Sequence, residues 1–302
     1  MSLARGGAAM AAGEARRAHL AMVALGLLVS TSYSIGALLT RTIAPVPLTF
    51  MRFVLASLVF AGVMMVSRTA AVVDRGLVYR SGVMGLIYVV FFVAMFEALK
   101  TVTPLATGAI FALVPLLSAG IALVVLGRRL SLRATLLLVI AGLGAIWVVF
   151  GGSLARLGAL ALGRGEIIYL LGCAVYAAYP SFLQKTARGD PPVRLTFFSF
   201  IAAVVLLLLW DARAIAATDW GALAGWQWLG IVWLAVVPTA ITFYLLQYAS
   251  LRLPPAKVMA YTYLTPAGVM VIETLIGHGL PHVSVVAGIV VTLIALWAFE
   301  IS

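Results

Sequence analysis

Ten apolar runs, each close to the length that crosses a bilayer, follow one another along this chain with little between them. A hydrocarbon core about 30 Å thick takes roughly 20 residues of α-helix, because a helix rises about 1.5 Å per residue and satisfies its own backbone hydrogen bonds in lipid. Hydropathy and breaker positions put the runs near residues 20–40, 47–67, 81–99, 102–126, 132–150, 167–186, 193–210, 227–250, 254–276 and 283–301 of 302. Charged residues make up 10%, against roughly 25% in soluble domains, and no stretch is left for a sizeable soluble domain. The expected fold class is an all-α integral membrane protein. Arg16-Arg17 ahead of the first run resembles a secretory n-region, but the apolar stretch that follows is too long for one and has no clear cleavage box. It is read as an uncleaved first helix.

The 20 Lys+Arg against 9 Asp+Glu give a net charge of +11, a balance that in a soluble protein would point to nucleic acid. In a membrane protein it is the trace of topology, since loops on the cytoplasmic side retain Lys and Arg. Fourteen of the 20 basic residues, Arg5, Arg16, Arg17, Arg128 and Arg129 among them, fall on the side that holds both termini. Five fall on the other side, and Arg52 lies inside a span. Both termini are therefore expected in the cytoplasm. The single cysteine, Cys173, lies in an apolar run and makes no internal disulfide.

The chain also repeats itself. Pro104 and Pro115 recur as Pro255 and Pro266 at a shift of 151, Gly127 and Trp147 as Gly277 and Trp297 at 150, and Leu48-Thr49-Phe50 as Leu195-Thr196-Phe197 at 147. The shared order implies two five-helix copies, 1–150 and 167–302, joined by an outer linker at 151–166. Because five is odd, the second copy is inverted, and such pairs enclose a midplane cavity that opens to each face in turn.

Pro115 and Pro266 stand near the middle of spans 4 and 9. Proline lacks an N–H and clashes with the carbonyl four residues earlier, so the carbonyls of Phe111 and Thr262 are expected to lose their helical partners and the two spans to hinge there. Pro180 and Pro238 interrupt spans 6 and 8 without matched partners.

The run from Ala98 to Leu130, with Pro104, Pro115 and Leu126-Gly127-Arg128-Arg129-Leu130, and its echo from Ala249 to Leu280 resemble the paired repeats of the drug/metabolite transporter superfamily, EamA branch. Arg52-Phe53 resembles that branch's Arg-aromatic pair. Where an acidic residue usually follows the glycine after spans 4 and 9, this chain has Arg128 and His278. The aromatic-rich profile is most similar to the YddG-type exporters of aromatic amino acids, which implies efflux across a bacterial inner membrane.

No acidic residue falls at mid-depth, so a carboxylate-built proton or sodium site lacks its groups. Arg52 and Glu97, at similar depth in spans 2 and 3, are read as an ion pair acting as a latch or outer gate in preference to a substrate contact. Sugar-phosphate exchange would call for cations deep in the cavity, and none is evident in the pattern. Trp220, Trp226 and Trp228 read as interface anchors. Tyr33, Tyr88, Tyr176, Tyr179, Trp233, Tyr261 and Tyr263 fall within spans, and with Phe92, Phe111 and Thr262 they are either helix packing or the lining of a pocket for amphipathic solutes. Ala141, Gly142, Gly144 and Ala145 in span 5, with Gly288 and Ala295 in span 10, read as packing or oligomer surfaces.

The function expected is a carrier that exports small amphipathic metabolites, aromatic or neutral amino acids foremost, by alternating access. The alternatives are multidrug or organic-cation efflux and, from another class, a channel or lipid scramblase. An enzyme is not expected: there is no activated nucleophile, no catalytic residue set, no cofactor motif and no metal site, since His278 and His282 share a loop without a carboxylate pattern. The partners expected are a small-molecule substrate and membrane lipid, not nucleic acid, with the chain a monomer or homodimer.

Overall fold

A computed structural model describes residues 13–69, 73–160 and 162–301 in full and residues 2–12 by backbone alone. The Arg5 side chain and, in the linker, Ala161 lie outside the described residues. Ten helices are long and apolar enough to cross a membrane: spans 1 to 10 are Gly13–Leu39, Pro45–Val66, Arg75–Ala98, Pro104–Leu126, Leu132–Val149, Arg164–Thr186, Pro192–Ala217, Gly225–Ser250, Pro255–His278 and Val283–Glu300. All described elements are helical.

The repeated prolines and glycines mark backbone requirements. Pro104 and Pro255 each open a span at a first-turn position, where the missing N–H costs nothing. Gly127 and Gly277 close the same two spans with φ of 65° and 95°, left-handed values that favour glycine. Side-chain caps fix other starts: Asp74 accepts from Leu77 N–H at 2.7 Å and Ser131 from Ala134 N–H at 3.1 Å. The expected linker is shorter and more ordered than its composition suggests. Ser153 caps a short helix, Leu154–Gly158, and span 6 already begins at Arg164, because the Glu166 carboxylate accepts from Gly163 N–H. Span 7 continues past 210 to Ala217 through a kink at Asp211.

Four spans break at mid-depth. Span 4 divides into Pro104–Phe111 and Val114–Leu126 ahead of Pro115, and span 6 into Arg164–Tyr176 and Tyr179–Thr186 ahead of Pro180. Span 8 passes through a π-helical turn, Val236–Ile241, around Pro238. Span 9 passes through a 3₁₀ turn, Tyr261–Leu264, ahead of Pro266. The freed carbonyls are re-satisfied locally: Phe111 O accepts the Thr262 hydroxyl at 3.5 Å, and Thr262 O accepts Thr265 N–H. The expectation that Thr262 would lose its partner is thus corrected, because a 3₁₀ turn brings the donor one residue closer.

Helix packing is symmetric under exchange of the halves. Spans 2 and 7, 4 and 9, and 5 and 10 pack on each other. Span 1 packs on 8 and 9 as span 6 packs on 3 and 4, and span 3 packs on 7 as span 2 packs on 8. Spans 5 and 10 meet through their small residues: a methyl group added at Gly144 would stand 2.8 Å from Gly288 O. Without a hydrophobic force between helices in lipid, such backbone approach supplies the van der Waals contact that holds them. This face is therefore occupied within the chain.

Candidate functional site

The rings gather where the broken spans meet. Phe91 stacks on Tyr176 with centroids 4.3 Å apart, Phe111 lies 5.7 Å from Tyr176, and Tyr33 lies 6.3 Å from Phe111. Tyr88 meets Phe243 edge-on at 4.3 Å, Phe92 meets Phe243 at 5.7 Å, and Tyr88 lies 5.6 Å from Tyr179. Spans 1, 3, 4, 6 and 8 thus contribute to one cluster drawn from both halves. Tyr33 and Tyr169 join their hydroxyls at 2.8 Å, so neither stands unpaired in the core.

The space enclosed within the cluster amounts to about 10 Å³, between Leu25, Val29, Ser32, Tyr33, Phe91, Phe92, Met95, Phe111, Tyr176, Pro238, Thr242, Phe243 and Leu246. That is the room of a single water. The chamber expected at the midplane is closed in this conformation, because the rings themselves fill it.

Of the ten side chains expected to line a pocket, Tyr33, Phe92, Phe111 and Tyr176 do so, and Tyr88 and Tyr179 stand directly behind them. The other four do not. Trp233 is 43% exposed and donates to Thr31 at the protein surface; the inward row of span 8 runs through Ile231, Leu234, Ala235 and Thr239, and Trp233 falls out of phase with it. The 3₁₀ turn fans out the next three. Tyr261 pairs with His19 Nδ1 at 2.7 Å near Glu300, at the face that holds the termini. Thr262 is spent on Phe111 O, and the Tyr263 hydroxyl donates to Leu138 O at 2.9 Å in a separate core with span 5. Phe91, Tyr169, Phe200 and Phe243 belong to the cluster without having been singled out, being aromatic residues among many, and Phe53, named only for its pairing with Arg52, belongs to it too.

Arg52 and Glu97 do not pair. Glu97 is the second-last residue of span 3, and Lys100 takes both of its oxygens at 3.0 Å. Arg52 reaches inward and is fully buried. Its Nε donates to the Thr239 hydroxyl, and its Nη2 donates to Pro238 O at 2.9 Å and to the Ser32 hydroxyl at 3.2 Å. Phe92 covers the guanidinium at 4.1 Å. No carboxylate among the described residues pairs with it, and Nη1 has no hydrogen-bond partner. A deep cation adjoins the cavity after all, contrary to the expectation from the pattern. The π-helical turn explains how neutral groups hold it: widening span 8 at Pro238 turns a carbonyl and the Thr239 hydroxyl toward span 2.

The face that holds the termini is tied by ions. Asp190, in the loop between spans 6 and 7, bridges Arg80 of span 3 and Arg194 of span 7. Asp74, at the start of span 3, is held below the usual carboxylate range by Leu77 N–H. At the opposite face His278 pairs with Glu273 at 2.6 Å, while His282 turns to the Ser284 hydroxyl at 2.8 Å. The two histidines thus serve different partners.

Comparison with known proteins agrees with this architecture. A solved structure, described only as a crystal structure of a protein, superposes with a TM-score of 0.74 over 94% of this chain and 96% of its own, at 19% identity, a likeness of fold. An uncharacterized transporter, YyaM of Bacillus subtilis (strain 168), is 22% identical over 225 residues, covering 72% of this chain and 71% of its own length. The sequence pattern of the EamA-like transporter family matches residues 16–150 and 163–299. That match reaches all ten spans, and the chain therefore belongs to the EamA-like transporter family as a multi-pass membrane transporter.

Proposed function

We propose that this chain carries small amphipathic metabolites, aromatic or neutral amino acids foremost, out of a bacterial cell by alternating access, with residues 1–150 and 167–302 as two inverted halves. One observation carries the reading: aromatic rings from both halves close on a single point flanked by four broken helices. Rings offer a solute broad apolar contact with few polar tips, which suits amphipathic molecules. Breaks at mid-depth let each half move without tearing its helices out of the membrane. The charge bias puts the termini in the cytoplasm, and the resemblance to aromatic amino-acid exporters gives the direction and the inner membrane. Tyr33, Tyr88, Phe92, Phe111, Tyr176 and Tyr179 form the solute site, and Pro115 and Pro266 the hinges.

The test is flux into liposomes holding the purified chain, run with a panel of amino acids and organic cations, with and without a pH gradient. Saturable, stereoselective flux favouring phenylalanine, tyrosine and tryptophan is expected. Flux that never saturates, or ionic conductance, would instead identify a channel, and movement of labelled lipid between leaflets a scramblase.

A further inference from the structure

A guanidinium keeps its charge when buried, because its proton is held too tightly to be given up. Its burial must therefore be met by an anion or by hydrogen bonds at every donor. At Arg52 neither condition holds: its acceptors are two hydroxyls and one carbonyl, and Nη1 is idle. Three residues that touch the guanidinium, Ser32, Phe92 and Pro238, are also walls of the enclosed space. The uncompensated charge thus stands directly behind the surface on which a solute would rest.

Resting on the aromatic-site reading above, we infer that Arg52 receives the carboxylate of the transported solute, which makes the substrates small aromatic or apolar carboxylates, amino acids included, and excludes organic cations. A carboxylate takes two parallel N–H bonds from a guanidinium fork. Nη1 supplies one from its idle state, and Nη2 supplies the other by leaving Pro238 O or Ser32. Phe92 turns aside to admit the head group while the remaining rings receive the apolar tail. The exchange has a mechanical consequence. Arg52 clasps span 2 to the π-helical turn of span 8, so a solute that takes over its N–H groups releases that clasp and links loading to helix movement. An organic cation meets like charge in a medium where repulsion is weakly screened.

The experiment compares L-phenylalanine, 3-phenylpropionate, L-phenylalaninamide, L-alanine and L-alaninamide. Binding is read from the melting shift of the purified full chain in detergent, and flux from proteoliposomes. For the unmodified chain the acids are expected to bind at least about tenfold tighter than the amides. Arg52→Gln should weaken the acids by about tenfold to hundredfold, since one charge-assisted pair is lost, and should strengthen the cationic amides, which no longer meet like charge. Arg52→Lys should retain part of the preference. Equal binding of phenylalanine and its amide by the unmodified chain overturns the inference, whether or not the variants fold. If alanine binds as tightly as phenylalanine, the aromatic-site reading fails instead, and alanine against alaninamide still judges Arg52.

Discussion

Tyr176→Ala is expected to lower aromatic amino-acid flux by at least about tenfold and to cost about 3 kcal/mol of stability. The ring stacks on Phe91 at 4.3 Å, contacts Phe111, and walls the enclosed space. Removing it opens a void in the closed state and takes away contact area from the solute in the loaded one. Stability loss by itself would lower flux through fewer folded molecules, so flux is normalised to folded protein measured by size-exclusion chromatography. Tyr263→Phe supplies the contrast. It removes only the hydroxyl that bonds Leu138 O, costs about 1 kcal/mol, and leaves normalised flux unchanged because Tyr263 and Leu138 sit in a separate core from the ring cluster. Equal effects of the two substitutions on normalised flux would return the cluster to plain packing.

Pro115→Ala with Pro266→Ala is expected to move stability and transport in opposite directions. Each alanine restores an N–H that can bond the carbonyl four residues earlier, at Phe111 and Thr262, so the two spans straighten and the melting midpoint rises by on the order of 1 kcal/mol in equivalent stability. Spans 4 and 9 pack on each other, so stiffening both removes bending from both at once. Normalised flux should fall by on the order of tenfold, with solute affinity little altered, because the restored bonds oppose movement and not contact. A double variant that is both more stable and equally fast would remove the hinge assignment.

The ten spans were legible because length and hydropathy are set by the bilayer alone, and the matching Pro104, Pro255, Gly127 and Gly277 because each answers the same backbone requirement at a span's start or end. Which way a side chain faces was legible only where a helix stays regular. Tyr33, Phe92, Phe111 and Tyr176 lie on the inward faces of their spans and wall the enclosed space. Tyr261 and Tyr263 were not separable, since a 3₁₀ turn changes the angle between successive residues from about 100° to about 120°. Trp233 failed for a simpler reason, being off the inward row just before the π-helical turn. The Arg52–Glu97 pairing rested on equal depth. Depth could not reveal that Lys100 lies one turn from Glu97, or that Pro238 and Thr239 would turn toward Arg52. The first was readable from the i,i+3 spacing; the second depends on local geometry that a residue count does not carry.

Alternating access through the closed ring cluster is tested most directly by labelling a single thiol inside it. Cys173 is the chain's one cysteine, so Cys173→Ala with Ser32→Cys leaves one reporter on the cavity wall. In proteoliposomes, a membrane-impermeant maleimide applied to either face alone should label this position, saturating phenylalanine should slow the reaction from both, and no ionic current should accompany it. Labelling from one face only, or from neither, would contradict a core that opens in turn to each side.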